Sequence, residues 1–336
     1  VQYTDYYGHY TCATQGATVE TTLDGQYFRI ADNCGPISAT TTCDGELDLG
    51  VAGGINCSVP DGASAGNTNA ARSAYYGLNL ANRKARFWVS GNSWLDTSQV
   101  ECRTNTFGAC NASWGNNTIN MFNAAGGCGN TAQIQAVVVH EWGHGFDEND
   151  GGDFDNSSEA YADVAAMFES RDSCIGPGFR QTETCPNFGD TCLTCTGVRD
   201  QDWDARILHT PATPTGFNDV YCPTGSGPCG FQVHCESHVP AESMYDLATR
   251  DLPAMGIDPD SAWQLAERLW YQSRPGSGGD IFNCALPASD RCAVGSWYHQ
   301  LRVQDDDDGD LTNGTPHASA IFAAFDRHDI ACGLAG

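Results

Sequence analysis

The sequence predicts an α+β fold of two lobes that disulfides hold together. Three observations support this prediction: strand-like alternation comes before the first long helical pattern, helical patterns dominate beyond residue 150, and 17 cysteines are spread along the chain. The 336 residues can bury a full core as one large domain or two lobes. We expect an N-terminal β-rich segment at 1–60, a first lobe with a β-sheet at 61–150 and a mainly helical lobe at 151–336.

The N-terminal segment 1–60 alternates like short strands and hairpins. The alternation covers 17–22 and 26–30, and turn residues such as Asp24-Gly25 and Cys34-Gly35-Pro36 interrupt it. Two interpretations stay open: an accessory β unit, or the first sheet of the following lobe. Further strands are predicted at 86–89 and 111–122.

Helical periodicity first covers 67–83, where Ala71, Ala74 and Leu78 share one face. A second helix is predicted over 131–146, and Ser157 is a candidate N-cap for a third that reaches about 170. Residues 173–230 are rich in Cys, Pro, Gly and Thr, which predicts an irregular stretch. Later helical patterns cover 236–250, 261–273, 290–303 and 316–328.

Charge and cysteine content limit the partners and the compartment. The net charge is −26 and Lys84 is the single lysine, so we expect neither nucleic acid nor a membrane as a partner. We also expect a monomer. No apolar run approaches the roughly 20 residues of a membrane span. The cysteines indicate an oxidising compartment and a secreted, extracellular protein. The start at Val1, without Met or signal peptide, is typical of a processed or trimmed form.

The odd number of cysteines leaves at least one thiol unpaired or paired outside the chain. Cys192-x-x-Cys195, with Cys185, Cys222 and Cys229, could also form a structural zinc ribbon. In an oxidising compartment, disulfides are the favoured interpretation.

His140, Glu141 and His144 form an HExxH motif on the predicted helix 131–146. Residues four apart share one face of a helix, so both imidazoles can bind the same metal ion. Glu141 stands beside the first ligand and can hold a metal-bound water without binding the metal. This is the minimum set of a zinc hydrolase, and we expect one catalytic Zn²⁺.

A catalytic zinc takes a third protein ligand, which should follow closely in the chain. Glu159 on the next predicted helix is the best candidate. Asp163, one turn later, can accept the free N–H of a ligating histidine and fix its tautomer. Asp150 is a rival third ligand at metzincin spacing, but Asp147 stands where that pattern needs a glycine for the sharp turn.

Several segments, in order, resemble gluzincins of the thermolysin class. HEWGH is followed by Glu159-x-x-x-Asp163, and Asn111-Ala112-Ser113-Trp114 resembles the family's edge strand. Val233-His234-Cys235-Glu236-Ser237 resembles the segment that carries the transition-state histidine. Arg206, at the family's spacing before His234, resembles the arginine that binds the substrate carbonyl. The stretch 308–317 is similar to fungalysin-type relatives, and the resemblance covers roughly 67–330.

The resemblance implies a thermolysin-like zincin fold and a zinc metalloendopeptidase acting on proteins or peptides. Its zinc ligands would be His140, His144 and Glu159, with Glu141 as general base and His234 as oxyanion donor. Asn111 and Ala112 would hold the substrate as an added strand, and Arg206 would bind its carbonyl.

Two family features are missing. No tyrosine stands where the second oxyanion donor is expected; Phe154 and Tyr161 are only nearby. The acidic partner expected before His234 is replaced by Cys229 and its neighbours, although Glu236 could substitute. The alternatives are a zinc aminopeptidase, a narrow-specificity peptidase, or a catalytically silent metal-bound adhesion module, and the presence of Glu141 argues against the last.

The acidic run 305–310 is rich in oxygen ligands and ends in a turn, which suits Ca²⁺. Asp306, Asp308 and Asp310 are the candidate calcium ligands. The run lacks the glutamate that an EF-hand loop requires at its twelfth position, and a solvated acidic turn is the alternative.

Overall fold

The computed structural model describes residues 3–5, 9–12, 14–43, 45–47, 49, 54–58, 66–152, 158–274 and 294–332. The strands are β1 (Thr18–Thr21), β2 (Phe28–Asp32), β3 (Ala39–Thr42), β4 (Val100–Thr106), β5 (Ala112–Gly115), β6 (Thr118–Phe122), β7 (Cys174–Ile175) and β8 (Arg199–Asp200). The helices are α1 (Asn69–Trp88), α2 (Ser93–Thr97), α3 (Gln135–Asp147), α4 (Ser158–Ser170), α5 (Asp219–Tyr221), α6 (Val233–Glu236), α7 (His238–Asp246), α8 (Leu252–Ala254), α9 (Pro259–Ser273), α10 (Trp297–Asp305) and α11 (Ala318–Asp326).

The main sheet has four strands in the order β2-β4-β6-β5. The pairs β2–β4 and β4–β6 are parallel, whereas β5 runs antiparallel to β6 and forms the edge of the sheet. Because β2 lies within the N-terminal segment 1–60, that segment contributes a strand to the sheet that carries β5. This favours the second of the two interpretations left open by the sequence.

The stretch predicted as one strand at 111–122 is a hairpin. Its turn residues Asn116 and Asn117 have φ values of +50° and +56°, a left-handed conformation that asparagine tolerates and that joins two-residue hairpins. The turn folds β5 back along β6, and the outer edge of β5, which pairs with no other strand in the described part of the chain, borders a neighbouring cleft.

The strand predicted at 86–89 is wrong, because α1 continues through Trp88. Ala81 and Ala85 are buried in the C-terminal half of α1, which packs against the sheet and against α3. Arg86 forms an ion pair with Asp96 and stacks on Tyr27 at 4.7 Å. These contacts outweigh the β propensity of the aromatic residues in this segment.

Helices α3 and α4 pack face to face between the sheet and the helical lobe. Gly143 permits the close approach, since a Cβ there would lie 2.9 Å from the Cα of Ala162. In α4 every residue from Ala160 to Phe168 is at most 1% exposed. A helix that is buried on all sides is held in a fixed position, and this fixes the position of Glu159 in its first turn.

The second lobe consists mainly of helices, and α7, α9, α10 and α11 pack together there. Asp246 on α7 ties three parts of the lobe together through Arg250, Arg327 and the 3.2 Å contact with His328. The predicted helices 236–250, 261–273 and 316–328 correspond to observed helical segments. Of the predicted helix 290–303, residues 290–293 lie outside the described part, as does the proposed cap Ser157.

Six disulfides join described cysteines: Cys12–Cys43, Cys34–Cys57, Cys110–Cys128, Cys174–Cys195, Cys185–Cys192 and Cys222–Cys235. The pairing of Cys185, Cys192 and Cys195 favours the disulfide interpretation over a zinc ribbon. Cys102 is a free, buried thiol on β4. None of the helices in the described ranges is both long enough and apolar enough to span a bilayer.

Candidate metal site and cleft

The side chains of His140, His144 and Glu159 converge between α3 and α4. The Nε2 atoms of the two histidines are 3.2 Å apart. Glu159 Oε2 lies 3.3 Å from His140 Nε2, and Glu159 Oε1 lies 3.7 Å from His144 Nε2. The structure thus brings together the three predicted metal ligands.

This donor set fits a zinc ion. Nitrogen and oxygen ligands at about 2.0–2.1 Å from zinc in a tetrahedral arrangement lie about 3.3 Å from one another. The two shorter separations in the cluster match that value. Two imidazole nitrogens and one carboxylate oxygen are also a donor set that catalytic zinc sites use, with a further position left for water.

Asp163 supports the cluster from the next turn of α4. Its Oδ1 lies 2.9 Å from His140 Nδ1, so His140 directs Nε2 toward the cluster. The same carboxylate pairs with Arg199 on β8 and accepts a 2.8 Å hydrogen bond from Gln201. The predicted supporting role of Asp163 therefore has a definite geometry.

The electrostatics of the cluster favour positive charge beside its carboxylates. Burial alone lowers the pKa of His140, but the carboxylates of Asp163 and Glu159 raise it to about 10. Burial and the charge of His140 lower the pKa of His144 to about 4. Although burial opposes it, the hydrogen bond to His140 and nearby cations hold the pKa of Glu159 well below its usual range. The buried carboxylates of Asp163 and Glu159 thus stabilise positive charge on the groups beside them.

Glu141 lies on the same turn of α3 but outside the ligand set. It is 6% exposed, and burial raises the pKa of its carboxyl to about 7. A hydrogen bond from the backbone of Trp114 acts in the opposite direction. A carboxyl near neutrality can both take up and release a proton at physiological pH.

A cleft of about 550 Å³ opens over this cluster. One wall is the segment from Cys110 to Trp114, which includes the predicted substrate-binding residues Asn111 and Ala112. Part of the remaining lining is apolar. The apolar residues are Val137, Ile175, Phe179 and Val198. A free strand edge beside an apolar recess can accept an extended peptide.

His234, at the start of α6, borders the same cleft. Its Nε2 lies 3.2 Å from Glu159 Oε1, and its Nδ1 lies 2.6 Å from the side-chain amide of Gln232. Glu236, which could have substituted for the missing acidic partner of His234, instead accepts hydrogen bonds from the backbone N–H groups of Cys229 and Phe231. The sequence offered no signal for Gln232, because the resemblance leads one to search for an acid.

Arg206 does not reach the cleft. Its side chain has no exposed surface, and it pairs with Asp190 at 3.0 Å and Glu242 at 2.5 Å. A guanidinium enclosed in this way cannot bind a substrate carbonyl, so the role inferred from residue spacing is not supported. The arginines that line the cleft are Arg180 and Arg199, and the sequence pattern pointed to neither.

Two alternatives raised by the sequence are also placed elsewhere. Asp150 accepts hydrogen bonds from Arg274 and Tyr161, both at 3.0 Å, so the metzincin interpretation is wrong for this chain. The same bond directs the hydroxyl of Tyr161 away from the cleft, and Tyr161 is not a second oxyanion donor. Phe154 lies outside the described residues.

The acidic run begins at Asp305, the buried last residue of α10, and continues as a turn on the surface. Ligand oxygens of Asp306, Asp307 and Asp308 lie within 4.8 Å of one another, whereas Asp310 is not in this group. The carboxylates also accept local hydrogen bonds, including 2.9 Å from the Asp310 N–H to Asp308 and 3.0 Å from the Thr312 N–H to Asp310. Calcium at this turn stays a prediction.

No family model matches the sequence, and no curated protein matches it either. Among solved structures, the chain is similar to the precursor of protealysin, a metalloproteinase from Serratia proteamaculans. The identity is 16%, the alignment covers 96% of this chain and 91% of that chain, and the TM-score is 0.59. This likeness confirms the thermolysin-like α+β fold that the sequence predicts, while the fungalysin-like character of 308–317 stays a prediction.

Proposed function

We propose that this protein is a zinc-dependent metalloendopeptidase. The observation that carries the proposal is the convergence of His140, His144 and Glu159, at separations of 3.2–3.7 Å, on the floor of a cleft walled by a free strand edge. The protealysin precursor, whose fold this chain shares, is described as a metalloproteinase. A bound zinc ion would supply a Lewis acid that lowers the pKa of a water molecule and polarises a peptide carbonyl.

The edge of β5 would bind the substrate. Ala112 and its neighbours can pair with an extended peptide as an additional strand, and Asn111 can hydrogen-bond its backbone. The apolar recess would take one substrate side chain. Backbone pairing fixes the position of the scissile bond without requiring a particular sequence along the peptide.

Glu141 would act as the general base. It accepts the proton of the attacking water and passes it to the leaving amine, which a carboxyl with a pKa of about 7 can do in both directions. His234 would donate from Nε2 to the developing oxyanion, and Arg199, which pairs with Glu159 and Asp163, would hold both carboxylates in place beside the cleft. Removal of one oxyanion donor costs about 10²–10³ in rate, so His234 should matter less than Glu141.

The location of acidic groups favours an endopeptidase over an aminopeptidase. An aminopeptidase needs a carboxylate that anchors the free amine of the substrate. Among the described residues that line the cleft, the carboxylates are Glu141 and Glu159, and both have other roles. The disulfides support secretion, since they persist in oxidising compartments. The monomeric state and the calcium ion remain predictions.

Cleavage of unfolded casein tests the proposal, with wild type and Glu141→Gln compared at equal, measured zinc content. We expect activity in the wild type and near-complete loss in the variant. Glu20→Gln is the matched control. Glu20 is exposed on β1, so this variant should retain full activity. Zinc binding without casein cleavage by the wild type would overturn the general endopeptidase and leave a narrow-specificity peptidase or a binding module.

A further inference from the structure

The side-chain amide of Gln232 lies against the ring of His234. Its orientation is set at the other end, because Gln232 Oε1 accepts the backbone N–H of Cys235 at 2.9 Å in the first turn of α6. The NH₂ group must then face His234 Nδ1, 2.6 Å away. An amide NH₂ can only donate, so Nδ1 is an acceptor and carries no proton.

The second ring nitrogen of His234 faces an acceptor. Its Nε2 lies 3.2 Å from Oε1 of Glu159, a carboxylate oxygen. A close contact between an unprotonated ring nitrogen and this oxygen would oppose two lone pairs, so Nε2 is the protonated atom. Both ends of the ring thus require the same tautomer.

We propose that Gln232 is a positioning residue that holds His234 as the neutral Nε2–H tautomer, with the N–H donor directed into the cleft. This inference rests on the proposed function, in which that N–H serves the developing oxyanion. A carboxylate partner would instead accept a hydrogen bond from a protonated Nδ1, and Nε2 would then carry a proton only on a positively charged ring. Gln232 supplies the donor without that charge.

The half-exposed position of His234 explains why its ring needs a positioning residue. Its side chain is 42% exposed, so the ring has little packing to fix it and depends on its hydrogen bonds. Free imidazole populates both tautomers and rotates. The Gln232 amide is itself anchored to the backbone of Cys235, so its hydrogen bond to Nδ1 restricts both the tautomer and the rotation of the ring.

Two substitutions separate this role from the capping of α6. Gln232→Glu keeps the side-chain length and the oxygen that caps the Cys235 N–H, but presents an acceptor to His234. Gln232→Met removes the cap and the donor together. Comparison of their thermal stability reports the structural contribution of the cap, which Gln232→Glu should largely preserve.

The direct measurement is a long-range ¹H–¹⁵N spectrum of the zinc-loaded protein labelled with ¹⁵N-histidine, at one neutral pH. The signals of His234 are those lost in His234→Asn. We expect a protonated Nε2 and an unprotonated Nδ1 in the wild type, a protonated Nδ1 in Gln232→Glu, and a mixture in Gln232→Met. A protonated Nδ1 in the wild type, or an unchanged pattern in Gln232→Glu, would overturn the proposal.

Steady-state cleavage of a peptide substrate supplies the functional comparison. In Gln232→Glu we expect kcat to fall about 10-fold or more, up to the 10²–10³ of a lost oxyanion donor, with KM nearly unchanged. An unchanged kcat beside a switched tautomer would refute the positioning role. If the wild type shows the expected tautomer but cleaves no peptide, the proposed function fails while the tautomer assignment stands.

Discussion

The Nδ1 atom of His140 lies 2.9 Å from Oδ1 of Asp163, a contact that joins α3 to α4. Asp163 is completely buried, and Arg199 and Gln201 hold its other oxygen. The carboxylate therefore cannot rotate away from the imidazole. Through this contact the position of α4 sets the direction in which His140 presents Nε2 to the candidate metal site.

Asp163→Asn should weaken zinc binding about 10–100-fold, the usual cost of changing a group that orients a metal-binding histidine. The amide can still accept from Nδ1, but it no longer carries the charge that supports the imidazole and balances Arg199. Competition with a chromogenic chelator measures the affinity. Asp219→Asn, at an exposed position on α5, is the control, and an equal affinity in Asp163→Asn would contradict the prediction.

Arg199→Lys and Arg206→Lys should differ in what they damage, although both arginines are buried. Lysine at 199 keeps the charge but loses the two-point contact with Asp163 and the reach into the cleft. We expect kcat/KM to fall on the order of 10–100-fold in Arg199→Lys. The measurement is peptide cleavage normalised to the fraction of folded, zinc-loaded protein.

Arg206→Lys should instead lower stability, because it weakens the ion pairs with Asp190 and Glu242. Breaking a buried pair completely costs about 3–5 kcal/mol, and a lysine should retain part of it. Urea unfolding measures the loss, and the protein that stays folded should retain its kcat/KM. A selective loss of activity in Arg206→Lys would restore Arg206 as the substrate-binding arginine.

Reduction of Cys110–Cys128 should impair substrate binding before the fold is lost. Cys110 is the exposed member of the pair, it directly precedes Asn111, and both cysteines line the cleft. An accessible disulfide reacts first with a phosphine or thiol reductant. At constant free zinc we expect KM to rise several-fold, with the circular dichroism spectrum unchanged.

The double substitution Cys110→Ser, Cys128→Ser is the comparison for this experiment. It should show the raised KM from the start and respond no further to mild reduction. Mass spectrometry after alkylation identifies which thiols have been freed. A wild type that keeps its KM while Cys110 and Cys128 are alkylated would show that the tether does not support the substrate strand.

The parts of the site that the sequence could predict are those set within single helices. His140 and His144 are four residues apart, which places them on one face of a helix wherever that helix lies in the fold. Glu159 and Asp163 share a face of the next helix for the same reason. The convergence of the two pairs needs only that α3 and α4 pack closely. Gly143 permits that packing, so residue spacing alone is enough to predict which four side chains meet.

The remaining contacts depend on the path of the chain between elements, which spacing does not determine. Between β8 and α6 the chain forms only short helical turns joined by irregular segments. Counting back from His234 by the family's spacing therefore selected Arg206, while the fold brings Arg180 and Arg199 to the cleft. Gln232 was missed because either an amide or a carboxylate can partner an imidazole. The strand expected at 86–89 failed because the packing of α1 overrides local propensity.

Glu236→Gln should remove a pH-dependent loss of stability. Burial raises the pKa of Glu236 from its usual 4.5 to about 7, and the hydrogen bonds from Phe231 and Cys229 offset this only in part. Its Oε1 has no hydrogen-bond partner among the described residues. Since the folded pKa lies above the unfolded value, the protonated carboxyl stabilises the fold below about pH 4.5, and this contribution is lost as the pH rises through about 7.

Glutamine resembles the protonated acid and does not ionise, so the variant should match the wild type at pH 5 and exceed it at pH 8. We expect a gain of about 1–2 kcal/mol at pH 8. Urea unfolding at both pH values measures it, with the exposed Glu183→Gln as control. A stability difference that is the same at pH 5 and pH 8 would show that Glu236 does not change its ionisation state in this range, and would contradict the prediction.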